Sequence, residues 1–176
     1  SNESLLNRSK SLHLNYSPQA FPVEFLTLSG SSQEGVPLRA TVNDFGPVLF
    51  SRMLGINDTQ AGVIAVLFEY AKNNNLPLID LADVKSLLQF IKTNEGKKEV
   101  EEGYGNMTST SIGAILRKII ELESQGANQF FGEPAFNVID LTRINAQNKG
   151  IISILRLMDM QDKPELFSTF MLKMLS

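Results

Sequence analysis

Apolar residues follow two rhythms along this chain. Between about residues 46 and 128 they recur at helical spacing, and on either side they gather in short extended runs. The clearest helical stretch is NDTQAGVIAVLFEYAKNNN. There Val63, Val66, Leu67 and Tyr70 stand at i, i+3, i+4 and i+7, after a cap at Asn57 or Asp58 and before a stop at Asn73–Asn75. IDLADVKSLLQFIKTNEG repeats the pattern, with Asp80 as cap and Val84, Leu87, Leu88 and Ile91 on one face. TSTSIGAILRKIIELESQG is a third helix, capped by Ser109 or Thr110, striped by Ile112, Ile115, Leu116 and Ile119, and closed by Gly126. A shorter one, NDFGPVLFSRMLG, has Asp44 or Gly46 as cap, Pro47 at its first position and Gly55 at its end.

The flanks read differently. Residues 3–20 are polar, contain Pro18, and form a short helix or linker. FPVEFLTL (21–28) sets Phe21, Val23 and Phe25 on one side and Glu24 on the other, which predicts a strand. GSSQEGVP (30–37) is a loop and LRATV (38–42) a second extended piece. EGKKEVEEGYGN (95–106) mixes both signs of charge with glycine and reads as a solvated loop. FNVIDLTRINAQNKG is an irregular connector with one helical turn. GIISILRL (150–157) is almost unbroken apolar sequence, the pattern of a central strand covered on both faces of a parallel sheet. DKPELFSTFMLKMLS opens a helix at Pro164, with Leu166, Phe167, Phe170, Met171, Met174 and Leu175 as its stripe. No stop signal follows that stripe, so the sequence is expected either to be cut from a longer polypeptide or to pack its end on something.

Between the third helix and the connector lies FFGEP (130–134). Gly132 permits a turn at positive φ and Pro134 prevents a helix from resuming. Phe130 and Phe131 can latch the loop to the bundle, but neighbours in extended backbone point opposite ways, so one of them should stay exposed. Glu133 has no structural task in this reading. A contact with a neighbouring subunit or a missing part of the core would use one Phe and Glu133.

Composition removes several chemistries. With no cysteine there is no disulfide, thiolate or Cys-based zinc site. The single histidine, His13, cannot form a metal-binding pair, and it reads as a surface or packing residue. Net charge is −3, the wrong sign for strong nucleic-acid binding by this segment alone. No apolar run is long enough to span a bilayer and no signal-peptide pattern opens the chain, so a cytoplasmic location is expected. The Gly96–Lys97 pair lacks the remainder of G-x-x-x-x-G-K-[ST], and no G-x-G-x-x-G occurs. Asp80, at the end of LPLID, could be a magnesium ligand, but the helix after it favours a cap. No catalytic, metal-binding or nucleotide-binding residue emerges from the residues themselves.

Several long blocks carry a resemblance. YSPQAFPVEFLTLSG, VPLRATVNDFGPVLFSRMLGINDTQAGV, LIDLADVKSLLQFI, GNMTSTSIGAILRKIIELESQGANQFFGEPAFNVIDL and KPELFSTFMLKMLS together resemble the middle of a bacterial HerA-like ATPase of the YjgR type, over about residues 4–176. In that family the P-loop lies N-terminal to this part, and an Asp-Glu strand lies C-terminal to it. The resemblance therefore implies an internal piece of a P-loop ATPase whose ATP and Mg2+ are held by the flanking parts. It also implies a homo-oligomer, with hexameric rings among the relatives, and DNA as a substrate of the parent rather than of this segment.

The expected fold is mixed α and β, mainly helical: a linker or short helix (1–20), a core strand segment (21–45), an inserted helical bundle (46–135), and a connector, core strand and helix (136–176). Ring ATPases commonly lend an arginine to a neighbour's nucleotide. Arg156, Arg39 and Arg143 are the candidates, each near a strand or connector, and Arg156 stands first because it follows the expected central strand. A stand-alone helical module that binds a protein partner through an apolar surface is the competing expectation.

Overall fold

The computed structural model describes residues 3–17, 19–28, 35–157 and 164–174. Pro18, most of the 30–37 loop and Leu175 lie outside them. The described chain is mainly helical with one small parallel sheet. Its elements run α1 (Glu3–Ser11), β1 (Val23–Thr27), β2 (Val36–Pro37), α2 (Val42–Leu54), α3 (Asp58–Asn73), α4 (Leu81–Ile91), α5 (Asn94–Tyr104), α6 (Ser109–Ser124), β3 (Ile152–Arg156) and α7 (Pro164–Met174). Short 3-10 turns at Ala127–Gln129 and Val138–Thr142 lie between α6 and β3.

Side-chain caps start the bundle helices. Thr41 and Asp44 form a capping box at α2, Asn57 and Gln60 at α3, and Asp80 and Asp83 at α4. Thr108, one residue before the two expected caps, opens α6. The helix expected from Asp44 or Gly46 begins earlier, at Val42, because Thr41 supplies the cap. Gly46 (φ 69°, ψ 171°) then breaks the helical path ahead of Pro47, so Gly-Pro marks a kink within α2. Gly55 (φ 60°) ends it in the left-handed conformation.

Two expectations fail here. Residues 95–106 are largely helix, not loop: Thr93 caps α5, and Val100 is fully buried within it. Gly96 is also buried, and a Cβ there would collide with the Phe90 carbonyl, so the glycine lets α5 pack tightly on the end of α4. One valine and one glycine are too few to create a visible apolar period. The second failure concerns 150–157. The strand order is β2-β1-β3, so β1 is central and β3 lies beside it as an outer strand. Its residues alternate in exposure, with Ile152 and Ile154 outward and Leu155 packed against the core.

β1 and β3 run parallel in the register Val23↔Ile152 through Thr27↔Arg156. Leu26 of β1 and Leu28 just after it belong to a core that continues through α2, α3, α4 and α6 to Leu166 and Phe170 of α7. α2 packs on α3 and α7, and α6 packs on α3 and α4. The bundle and the inner face of the sheet thus share one hydrophobic core. Among the described residues no helix is long and apolar enough to cross a membrane.

Candidate functional site

The FFGEP loop is held from both sides. Phe130 and Phe131 are both buried, at 1% and 0% exposure, which corrects the expectation that one would remain outside. The alternation rule does not apply, because Phe130 sits at φ −88°, ψ −44°, a helical and not an extended conformation. The two rings join an edge-to-face cluster. Phe45 lies 5.6 Å from Phe130 and 5.4 Å from Phe131, while Phe170 of α7 lies 5.5 Å from Phe130. One dipeptide therefore ties α2 to α7.

On the other side stands Arg39. Its Nη1 donates to the Glu133 carbonyl at 2.8 Å and its Nη2 to the Phe131 carbonyl at 2.9 Å. Backbone bonds extend the clasp: Ala40 N–H to Phe130 O at 3.1 Å, Gly132 N–H to Ala40 O at 2.9 Å, and Phe136 N–H to Arg39 O at 2.8 Å. Gly132 takes φ 138°, and a Cβ there would strike the guanidinium. The glycine thus supplies both the turn and the space in which Arg39 lies. Nothing in the sequence links Arg39 to a loop 92 residues away. Glu133 points to the surface, and only its backbone carbonyl is used by Arg39.

The other two arginines are placed differently. Arg143 pairs with Glu24 of β1 at 3.0 Å and donates from Nε to the Asp140 carbonyl at 2.6 Å, which pins the connector to the sheet. Arg156 ends β3. Its guanidinium lies over the Phe25 ring at 4.5 Å, and among the described residues it makes no ion pair. It is exposed and stands at the carboxyl end of the parallel strands, where open α/β sheets bind ligands. The three candidates do not converge on one point: two clamp their own chain and one faces outward. His13 is exposed, with φ 56°.

A polar pair inside the bundle gave no sequence signal. The Tyr70 hydroxyl donates to Glu99 Oε1 at 2.7 Å, and burial followed by that bond pushes its pKa up to about 12. Lys85 of α4 meets Glu123 of α6 at 2.6 Å in a half-buried ion pair. Both fasten helices together. Asp80 is occupied as a cap, accepting from the Ala82 and Asp83 N–H groups.

The chain thus sets a small parallel sheet against a helical bundle, with Arg156 exposed at the carboxyl end of the outer strand. The chain belongs to the Helicase HerA-like C-terminal family, which it matches over residues 1–176. No match was found among curated proteins or among solved structures.

Proposed function

We propose that this chain is the part of a HerA-like ATPase of the YjgR type that lies between its P-loop and its Asp-Glu strand, and that it acts as scaffold and subunit contact. The observation that carries the reading is the pairing of β1 with β3. Glu24 and Ser153 are register partners 129 positions apart, and a complete helical bundle fills the interval. Such a pair supports a bundle (46–135) inserted between sheet segments (21–45 and 136–176) of a RecA-like core. Membership of the HerA-like C-terminal family over the full chain supports the HerA-like parentage.

ATP and Mg2+ belong to the flanking segments in this reading, because the residues present do not fit them. The Gly96–Lys97 pair lies inside α5, where Gly96 packs against Phe90. Asp80 spends its carboxylate on helix N–H groups. What this chain contributes to turnover is a cation offered across a subunit boundary. Arg156 takes that role, since Arg39 and Arg143 are already engaged by their own chain. The whole protein is a homo-oligomeric ring that moves DNA in the cytoplasm.

Two measurements test this. The 176-residue chain should neither bind a fluorescent ATP analogue nor hydrolyse ATP, whereas a polypeptide extended through the P-loop and the Asp-Glu strand should do both. Turnover by the short chain alone overturns the reading. In the extended protein, Arg156→Ala should lower the turnover number by about 10³-fold or more with nucleotide binding retained, and unchanged turnover removes the role given to Arg156.

A further inference from the structure

Among the described residues, one face of the sheet has no cover. Phe21, Val23 and Phe25 from β1 and its approach, with Ile152 and Ile154 from β3, are 41–49% exposed. The opposite face, carrying Leu26, Leu28 and Leu155, is packed into the core. Parallel sheets are normally covered on both faces, because their crossover helices lie across them. With an aromatic side chain amounting to about 150–250 Å², five half-exposed residues leave roughly 400–500 Å² of contiguous apolar surface, within the about 300–600 Å² of a monomer's largest patch, which is often functional. That falls short of the roughly 800 Å² per partner in a stable protein–protein interface. It is the area of one short amphipathic helix.

The same chain carries a helix with the converse problem. No residue of α1 is buried. Leu5, Leu12, Leu14 and Tyr16, on α1 and the turn after it, are 47–61% exposed and line one shallow apolar cavity with Arg8 and Ser9. At nine residues α1 is about 14 Å long, and the five-residue strands span about 17 Å. Laid antiparallel to the strands, α1 would end near Pro22, where β1 begins, and residues 12–22 are ample to make the return. Its other end would bring Glu3 to the carboxyl end of β3.

We propose that α1 docks on the open face of its own chain's sheet, with Leu5 over Phe25 and Ile154 and Leu12 over Val23 and Ile152. Each apolar surface is the other's cover. Docking in cis follows from the area, which is too small to hold a second copy, and from the short tether, which keeps α1 at millimolar effective concentration.

The absence of cysteine makes the test clean. In the double variant Leu5→Cys/Ile154→Cys, mild oxidation should give an intramolecular disulfide in a monomer, seen by non-reducing electrophoresis and intact mass. Leu12→Cys/Ile152→Cys should do the same at the other end of the docked segment. A disulfide that forms only between molecules would mean exchange of α1 between copies and overturns the proposal, as does no disulfide in either pair. Maleimide labelling gives an independent readout. Ile154→Cys should react about tenfold more slowly than a cysteine at the exposed Lys98 position, and adding Leu5→Asp and Leu12→Asp should remove that protection. Equal rates in the undisturbed chain overturn the proposal without reference to any disulfide.

Discussion

Replacing Phe131 by alanine should remove more stability than almost any other single change in the chain. Its ring is fully buried and touches three others, with centroids at 5.4 Å (Phe45), 6.0 Å (Phe50) and 5.1 Å (Phe130). Truncating a buried phenylalanine costs about 3–5 kcal/mol, the sum of lost transfer energy and the cavity left behind. The upper half of that range is expected, because neighbours from two elements, α2 and the FFGEP loop, would have to move together to close the gap. Total stability of a domain is about 5–15 kcal/mol, so a variant losing about 4 kcal/mol should still fold. Urea unfolding followed by far-UV circular dichroism would measure the change. Glu133→Ala, two residues along, is the control, since its side chain is exposed; it should stay within about 0.5 kcal/mol. A loss below about 1 kcal/mol for Phe131→Ala would refute the claim that FFGEP is anchored in the core. A large loss for both variants would show that the loop's backbone, and not its rings, is the sensitive part.

Gly132→Ala should cost about 1–3 kcal/mol, since φ of 138° is unfavourable for a side chain and the new Cβ displaces Arg39; thermal unfolding together with Arg39→Ala in a double-mutant cycle should show strong non-additivity. Asp80→Ala removes the acceptor for two helix N–H groups and should destabilise α4 by about 1 kcal/mol, read from the urea midpoint. Tyr70 has a folded pKa near 12 against the ordinary 10.0, so above pH 10 the unfolded chain loses this proton first. Its contribution is therefore full below pH 10 and falls as pH rises towards 12. Comparing unfolding midpoints at pH 9 and pH 11 should show a steeper decline for the native chain than for Tyr70→Phe, and equal declines would refute the assignment.

Helices with several apolar residues in period could be read directly, because burial along one face writes itself into the spacing. Val63, Leu67 and Tyr70, or Val84, Leu88 and Ile91, needed no knowledge of their neighbours. α5 escaped because its burial consists of Val100 and a glycine, and the glycine's task is visible only once the Phe90 carbonyl is beside it. β3 was legible as a strand but misplaced, since an apolar run looks alike whether its outer face is covered or waiting for cover. The clasp of Arg39 on FFGEP could not be read at all: guanidinium and carbonyls are far apart in sequence, and backbone acceptors leave no trace in side-chain identity. Of the three arginines singled out, the sequence held no means of telling that two are clamped by their own chain while Arg156 makes no ion pair among the described residues.

The parallel pairing of β1 and β3 also bears on the order in which the chain folds. Closing a loop of 129 positions in a disordered chain costs roughly 4 kcal/mol in entropy before its first contacts repay it. A bundle that forms first through its own short-range contacts shortens that loop to the few segments outside it. Sheet formation should then be the late event, slaved to the bundle, and the molecule's relative contact order overstates the difficulty of its search. Native-state hydrogen exchange would display the hierarchy: weakening the bundle at Val84 should strip protection from β1 and β3, while weakening the sheet at Ile154 should leave the amides of α3 and α4 protected.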